Sequence, residues 1–200
     1  MRIVLASSNP HKLEELKSVL PSSLELIPQA YFGIDAPEET GLTFVENAII
    51  KARHASQSTG LPAIADDSGL EVDYLGGAPG IYSSRYAGDN ATDEDNNAKL
   101  LEALESAGPG NREAKFQCVI VFMRHALDPT PMIAGGTWKG SILHQAKGTG
   151  GFGYDPLFHL SSLNKTAAEL SKSEKNSISH RGQALGGLKK LMFAEPGIRG

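Results

Sequence analysis

The chain has 200 residues, of which 40% are hydrophobic and 21% charged, which fits one globular α/β protein and excludes a disordered or fibrous one. A formal net charge of -4 gives no general attraction for nucleic acid or anionic membranes, so a polyanionic ligand must meet a local cluster of cations. With a single cysteine, no signal-peptide pattern and no apolar run of membrane-spanning length, we expect a cytoplasmic protein without intrachain disulfides.

The first residues predict a buried strand that turns into a helix. Residues 2–6 are apolar and partly β-branched, and leucines on one helical face follow from about Pro10. Such a turn directs free backbone N–H groups and the positive helix end toward one point, which suits an anion. An ordinary helix cap beside a solvated lysine is the alternative. The side chains that would help to bind the anion are those of Ser7, Ser8, Asn9 and Lys12.

The next elements alternate between strands and helices. A strand is predicted at residues 24–27, followed by an irregular acidic stretch at 30–41. The run from Thr43 to Glu46 fits a capping box and predicts the start of a helix. Residues 62–66 predict a short buried strand. Residues 70–73 alternate between apolar and acidic side chains, which predicts either an extension of that strand or a second strand that pairs with it.

Two acidic pairs indicate a metal site. Glu38-Glu39 lies in the irregular stretch, and Asp66-Asp67 lies at the end of an apolar strand, where open α/β sheets bind ligands. One carboxylate from each pair would hold Mg²⁺, and one aspartate would orient an attacking water or take its proton. The alternative is a pair of solvated loop acids and an aspartate that caps a turn.

The middle of the chain predicts the sheet topology. A loop rich in glycine and proline precedes a helix capped by Thr92, and two β-rich runs follow at residues 114–125 and 132–143. Their short connector is typical of a hairpin, so the sheet is expected to be mixed. We therefore predict an α/β fold in which residues 1–200 form a single domain of two lobes around an elongated mixed β-sheet flanked by helices. The active site is expected in the cleft between the lobes.

A glycine-rich run at residues 148–153 matches the dinucleotide-binding pattern, but Tyr154-Asp155-Pro156 follows it instead of a helix. We therefore predict a glycine loop that presents Phe152, Tyr154 and Asp155. The aromatic rings on this loop either stack on a base or belong to the core.

The last segment predicts one helix from about Ser173, with an apolar stripe at Ile178, Leu185 and Leu188. Lys175 and Ser179 are expected to share its polar face. A solvated basic face, with a structural histidine at 180, is the alternative. The polar residues of this segment are Lys175, Ser179, His180 and Arg181.

Taken together, these residues resemble the inosine triphosphate pyrophosphatase family, also called the Ham1-type family, almost from end to end. Seven motifs occur in the family's order. They are Ser7-x-Asn9-x-x-Lys12, Glu38-Glu39-Thr40-Gly41, Glu46-Asn47-Ala48-x-x-Lys51-Ala52, Ala65-Asp66-Asp67-Ser68-Gly69, Gly76-Gly77-x-Pro79-Gly80, Phe152-Gly153-Tyr154-Asp155 and Ser179-His180-Arg181-Gly182.

The resemblance implies a homodimeric enzyme that uses Mg²⁺ to hydrolyse ITP, dITP and XTP to the monophosphate and pyrophosphate. Glu39 and Asp67 would bind the metal, and Asp67 would be the catalytic proton acceptor. The residues implied to bind substrate are Ser7, Ser8, Asn9, Lys12, Lys51 and Ser68 on the phosphate side, and Phe152, Gly153, Tyr154, Asp155, Lys175, His180 and Arg181 at the nucleoside end. Ser8 departs from the glycine that many members have there, and serine disfavours a positive φ.

Two other functions remain open at this point. The Maf-like nucleotide pyrophosphatases share a Ser-x-x-Pro turn like that of Ser7 to Pro10, but the motifs at 152–155 and 179–182 have no counterpart in them. A non-catalytic nucleotide- or RNA-binding module predicts binding without turnover and no need for the Asp67 carboxylate. The negative net charge and the lack of a basic stripe disfavour the RNA-binding form.

Overall fold

Seven strands form one sheet in the computed structural model, which describes residues 1–7, 10–21, 23–108 and 110–194. The strand order is β2-β1-β3-β4-β5-β6-β7. The strands are β1 (Arg2–Leu5), β2 (Glu25–Pro28), β3 (Ala63–Val72), β4 (Glu113–Met123), β5 (Met132–Ile142), β6 (Phe158–Leu160) and β7 (Lys165–Thr166). The main helices are α1 (Pro10–Val19), α2 (Phe44–Thr59), α3 (Asp93–Ala103), α4 (Lys172–Ile178) and α5 (His180–Ala194).

The sheet is mixed, which confirms the predicted fold class. Strand β1 pairs in parallel with both β2 and β3, whereas β6 pairs antiparallel with β5 and β7. Parallel neighbours need long crossovers, and α1 and α2 lie in those connections. Only residues 161–164 join β6 to β7, and a connector this short suits an antiparallel pair.

The described chain divides into two compact units, each with its own core. The first unit comprises Met1–Asp67, Cys118–Gly136 and the chain from Arg181 onward. Its core includes buried residues of β1 and of α5, such as Ile3 and Leu188. The second unit comprises Ser68–Gln117 and Thr137–His180, and its core is rich in aromatic side chains from β4, β5 and β6.

Helix starts agree well with the predicted caps. The Thr43 side chain accepts a hydrogen bond from the Glu46 N–H at the start of α2, and Thr92 forms a complete capping box with Asp95 at the start of α3. Residues 63–72 form one continuous strand, so the two segments predicted there are extensions of each other.

The prediction of one terminal helix was wrong. Ser179 has an extended backbone with ψ 162°, and it separates α4 from α5. Serine favours such positions because its short polar side chain competes for backbone hydrogen bonds. The predicted apolar stripe is divided accordingly: Leu185 and Leu188 pack in the core of the first unit, and Ile178 packs in that of the second.

No helix in the described ranges combines the length and apolarity needed to cross a membrane.

Candidate active site

Two predicted metal ligands contact the same ammonium group. Lys51 on α2 places its Nζ 2.8 Å from Glu39 Oε1 and 2.9 Å from Asp67 Oδ1. Lys51 and Asp67 are each only 8% exposed, so this pairing is shielded from water. Glu38, the other acid of its pair, is exposed. The structure therefore brings Glu39 rather than Glu38 to Asp67 and Lys51.

The loop that carries Glu39 is fixed by the first turns of α2. Asn47 Oδ1 accepts a hydrogen bond from the Gly41 N–H at 2.8 Å, and Asn47 is fully buried. A Cβ on Gly41 would lie 2.6 Å from Asn47 Oδ1, so only glycine allows this close approach. Asn47 thus positions the Glu39 loop.

Burial and charge act in opposite directions on this group of residues. Burial raises the pKa of Asp67 and outweighs the neighbouring Lys51 ammonium, and the Glu39 carboxylate raises it further. Burial alone would lower the pKa of Lys51, but the carboxylates of Asp67, Asp66 and Glu39 outweigh it, so the pKa of Lys51 is raised. Lys51 therefore stays an ammonium, while Asp67 is a stronger base than an exposed aspartate.

The donor set suits Mg²⁺. Asp67 Oδ2 is buried and has no hydrogen-bond partner among the described residues, which leaves a carboxylate oxygen for a cation. Within the same residues, no group of three or more His, Cys, Asp or Glu side chains could hold a metal. Two carboxylates completed by waters and substrate phosphate oxygens are the usual environment of Mg²⁺.

Asp66 forms a second buried cluster with cations from both ends of the chain. Its Oδ2 lies 2.8 Å from Lys12 Nζ and 3.2 Å from Arg181 Nη2, and Arg181 Nη1 lies 3.0 Å from Glu15 Oε2. Burial of the Asp66 carboxyl is outweighed by Lys12, Arg181 and Lys51, which hold its pKa well below the usual range. Neighbouring strand residues point to opposite faces, and Asp66 and Asp67 have different partners accordingly.

The predicted nucleoside loop, residues 148–155, is held by Asp155 within the loop and by Lys175 on α4. Asp155 Oδ2 accepts a hydrogen bond from the Phe152 N–H at 2.9 Å and also pairs with Lys175 Nζ. The Lys175 ammonium lies 4.7 Å from the centroid of the Phe152 ring, a cation–π contact. Tyr154 is 4% exposed and donates from its hydroxyl to the Ser83 carbonyl, so it belongs to the core, whereas Phe152 is partly exposed.

His180 lies in an aromatic stack. Its ring is 4.8 Å from that of Phe116 at an angle of 12°, and the residue is 6% exposed. This position favours the structural alternative for His180.

The predicted phosphate turn is only partly described. Ser7 is partly buried, as is Ser68 on β3. Ser8 and Asn9 lie outside the described residues, so the backbone of this turn stays a prediction.

A family model described as the Ham1 family matches residues 3–191. The chain belongs to the Ham1 family. This confirms the resemblance inferred from the seven motifs.

Similar Ham1-family proteins match over nearly their whole length. The dITP/XTP pyrophosphatase of Erwinia tasmaniensis is 60% identical over 185 residues, which cover 92% of this chain and 90% of the relative. That of Escherichia coli O157:H7 is 58% identical, with 92% and 94% covered. A solved HAM1 protein from Coxiella burnetii is 53% identical with a TM-score of 0.93, and covers 98% of this chain and 100% of its own.

Three residues that position the side chains of this Ham1-family site were not predicted from the sequence to belong to it. Asn47 was recognised only as part of a motif, and Asp66 only as one of two aspartates considered for the metal or the attacking water, not as the partner of Lys12 and Arg181. Glu15 follows Lys12 by three residues on α1, a spacing that places it on the same helical face. Such spacings are common on helix surfaces, so the signal was too weak to indicate a buried partner for Arg181.

Replacing Gly151 by alanine is expected to disturb the nucleoside loop. Gly151 has φ +76°, and an added Cβ would lie 2.0 Å from Asp155 Oδ2, the atom that pairs with Lys175. We expect a stability loss of more than the roughly 1–2 kcal/mol that left-handed backbone costs, together with a raised KM for nucleotide. The matched control is Gly33→Ala, because Gly33 has φ +66° but no atom within 4 Å of the added Cβ. Equal losses of stability and unchanged KM in both variants would contradict the expected clash.

Proposed function

We propose that this chain hydrolyses dITP, ITP and XTP to the corresponding monophosphate and pyrophosphate, and so removes deaminated purines from the nucleotide pool. The observation that carries the proposal is the contact of the Glu39 and Asp67 carboxylates with the buried Lys51 ammonium. Relatives about 60% identical bear the name dITP/XTP pyrophosphatase. The finer assignments below extend that name to particular residues.

The first unit supplies the phosphate-binding and hydrolytic groups. Lys12 and Lys51 offer ammonium groups to the triphosphate, and Glu39 and Asp67 hold Mg²⁺. When bound, Mg²⁺ neutralises phosphate charge and lowers the pKa of water. Ser68, which belongs to the second unit, also contacts the substrate. The turn that binds the phosphates contains Ser7, Ser8 and Asn9.

Asp67 is the proton acceptor in this proposal. The attacking water gives its proton to this carboxylate as the water oxygen bonds to the α-phosphorus, and the bond between that phosphorus and the pyrophosphate oxygen breaks. Pyrophosphate leaves. Lys51, held as an ammonium beside the reacting groups, stabilises the negative charge that moves onto the leaving oxygens.

The nucleoside end distinguishes adenine by its 6-amino group and guanine by its 2-amino group. Phe152 offers a partly exposed ring that is already fixed by Lys175. A pocket with buried donors accepts the keto oxygen of hypoxanthine or xanthine, whereas the amino group of adenine leaves those donors unpaired at a cost of roughly 1–3 kcal/mol each. The residues assigned to this end are Phe152, Gly153, Tyr154, Asp155, Lys175, His180 and Arg181, of which the buried Tyr154 and His180 support it from the core.

The same proposal includes a cytoplasmic homodimer and an active site in the cleft of a single two-lobed domain, spanning residues 1–200. Nucleic acid and membranes have no part in it.

A panel of nucleoside triphosphates with Mg²⁺ tests the reaction. We expect pyrophosphate release from dITP, ITP and XTP and little from ATP or GTP. Orthophosphate as the first product would reject attack at the α-phosphorus. Tight binding of ITP without turnover would instead support the non-catalytic module, and cleavage confined to other nucleotides would favour a Maf-like activity.

A further inference from the structure

We infer that Asp93 and Asn97 on α3 are positioning residues that fix the peptide groups of Gly153 and thereby the orientation of the Phe152 ring. The inference rests on the proposed role of the 152–155 loop at the nucleoside end. Both residues lie outside the seven motifs, and neither is expected to touch substrate.

The two side chains hold one glycine by its donor and by its acceptor. Asp93 Oδ2 accepts a hydrogen bond from the Gly153 N–H at 2.6 Å, and Asn97 Nδ2 donates to the Gly153 carbonyl at 2.9 Å. Asp93 and Asn97 are four residues apart on a helix and so share a face. Helix α3 thus holds both the N–H and the carbonyl of Gly153, which lies 56 positions after Asn97 in the chain.

The loop needs such support because its own backbone is permissive. Gly148, Gly151 and Gly153 all have positive φ values, between 60° and 86°. Glycine reaches these angles without strain but also leaves them easily, since no Cβ restricts the chain. Asp155 binds the N–H of Phe152 and so fixes the peptide before this residue. Asp93 binds the Gly153 N–H in the peptide after Phe152, and Asn97 binds the Gly153 carbonyl in the peptide that follows. Together these bonds restrict the direction of the Phe152 side chain.

The Asp93 carboxylate is not needed to cap its own helix. Thr92 and Asp95 already form the capping box, in which Asp95 Oδ2 accepts from the Thr92 N–H at 2.9 Å. Asp93 is the residue next to the cap, yet its carboxylate bonds to Gly153 instead. Its contact is therefore with the loop.

The Asn97 amide points its Nδ2 toward the loop, although this orientation leaves its Oδ1 without a hydrogen bond to the described residues. That Oδ1 atom is buried. A buried unpaired acceptor is costly. Rotating the amide by half a turn would bring Oδ1 against the Gly153 carbonyl, so the bond to Gly153 determines the orientation.

Steady-state kinetics of four variants with ITP test this inference. Asp93→Ala and Asn97→Leu each remove one bond to Gly153, and we expect KM to rise about tenfold with kcat within about twofold, as for loss of a charge-assisted or partly buried hydrogen bond. Asp93→Asn retains a carbonyl acceptor and is expected to restore most of the wild-type KM. The matched control, Asp95→Ala, breaks the capping box of the same helix and should lower Tm without raising KM. Inhibition by inorganic pyrophosphate, which occupies the phosphate end alone, should be unchanged in all four.

An Asp95→Ala variant whose KM rises as much as that of Asp93→Ala would overturn the inference, since helix stability alone would then explain both. Amide hydrogen exchange of the 152–155 loop gives a readout that needs no turnover. We expect faster exchange of the Gly153 amide in Asp93→Ala and Asn97→Leu but not in Asp95→Ala, and equal exchange in all of them would also overturn it. A wild-type protein without ITP turnover would refute the proposed function, whereas a wild-type KM in both loop variants of an active enzyme would refute only this inference.

Discussion

Replacing Asp67 by asparagine is expected to lower kcat for ITP by at least about 100-fold, the effect of losing a general base. The substitution keeps the size of the side chain but removes its charge. Among the residues that the structure describes, Lys51 then keeps Glu39 alone as a direct ionic partner, and the attacking water loses its proton acceptor. The measurement is kcat at saturating ITP and Mg²⁺.

The control for this prediction is Asp73→Asn. Asp73 follows the same strand as Asp67 but is exposed, and its nearest cation, Lys115, is 3.9 Å away. We expect wild-type turnover in the control, because an exposed ion pair contributes little. An Asp67→Asn enzyme that retained more than about a tenth of wild-type kcat would contradict the role of Asp67 as base.

Replacing Asp66 by alanine is expected to lower the free energy of unfolding by about 3–5 kcal/mol, because Lys12 and Arg181 lose a shared buried partner. For a chain of this length the loss corresponds to a fall in Tm of roughly 6–20 °C. Because Arg181 is only 3% exposed, bulk water cannot hydrate its guanidinium in place of the lost carboxylate. Thermal unfolding followed by circular dichroism measures the effect, and a loss below about 1 kcal/mol would show that the cluster is not stabilising.

The same variant carries a pH signature. Lys12 and Arg181 hold the pKa of Asp66 in the folded protein below its value in the unfolded chain, which is about 3.9. The stability that Asp66 contributes is therefore present above pH 4 and is lost as the pH falls through the lowered pKa. We expect the wild-type free energy of unfolding to decline below about pH 4 more steeply than that of Asp66→Ala. Parallel pH profiles would show that Asp66 has an ordinary pKa.

Local elements were predictable because their signals lie in adjacent residues. The caps at Thr43 and Thr92 mark the starts of α2 and α3, and the apolar run before Ser7 marks β1. The break at Ser179 was missed because the apolar spacing from Ile178 to Leu188 continues across it as in a single helix. The spacing indicates which residues pack against a core, but here those residues belong to two different cores.

The chemistry of the site was predictable in part. Acidic pairs and a lysine could be recognised from residue type and motif, but their partners depend on contacts far along the chain. Asp66 and Arg181 are separated by 115 positions, and no periodicity connects them. The family resemblance alone indicated Glu39 rather than Glu38, because the hydrogen bond between Asn47 and Gly41 that fixes this loop exists only in the folded protein.

Binding of Mn²⁺, a paramagnetic substitute for Mg²⁺, tests most directly whether Glu39 and Asp67 share one divalent cation. Electron paramagnetic resonance of free Mn²⁺ would be measured with the wild type, Glu39→Gln and Asp67→Asn, each with a non-hydrolysable α,β-methylene analogue of ITP. The account predicts that both substitutions weaken Mn²⁺ binding about tenfold or more, while Glu38→Gln, at the exposed neighbouring acid, leaves it unchanged. Wild-type affinity in Glu39→Gln, or equal weakening in Glu38→Gln, would contradict it.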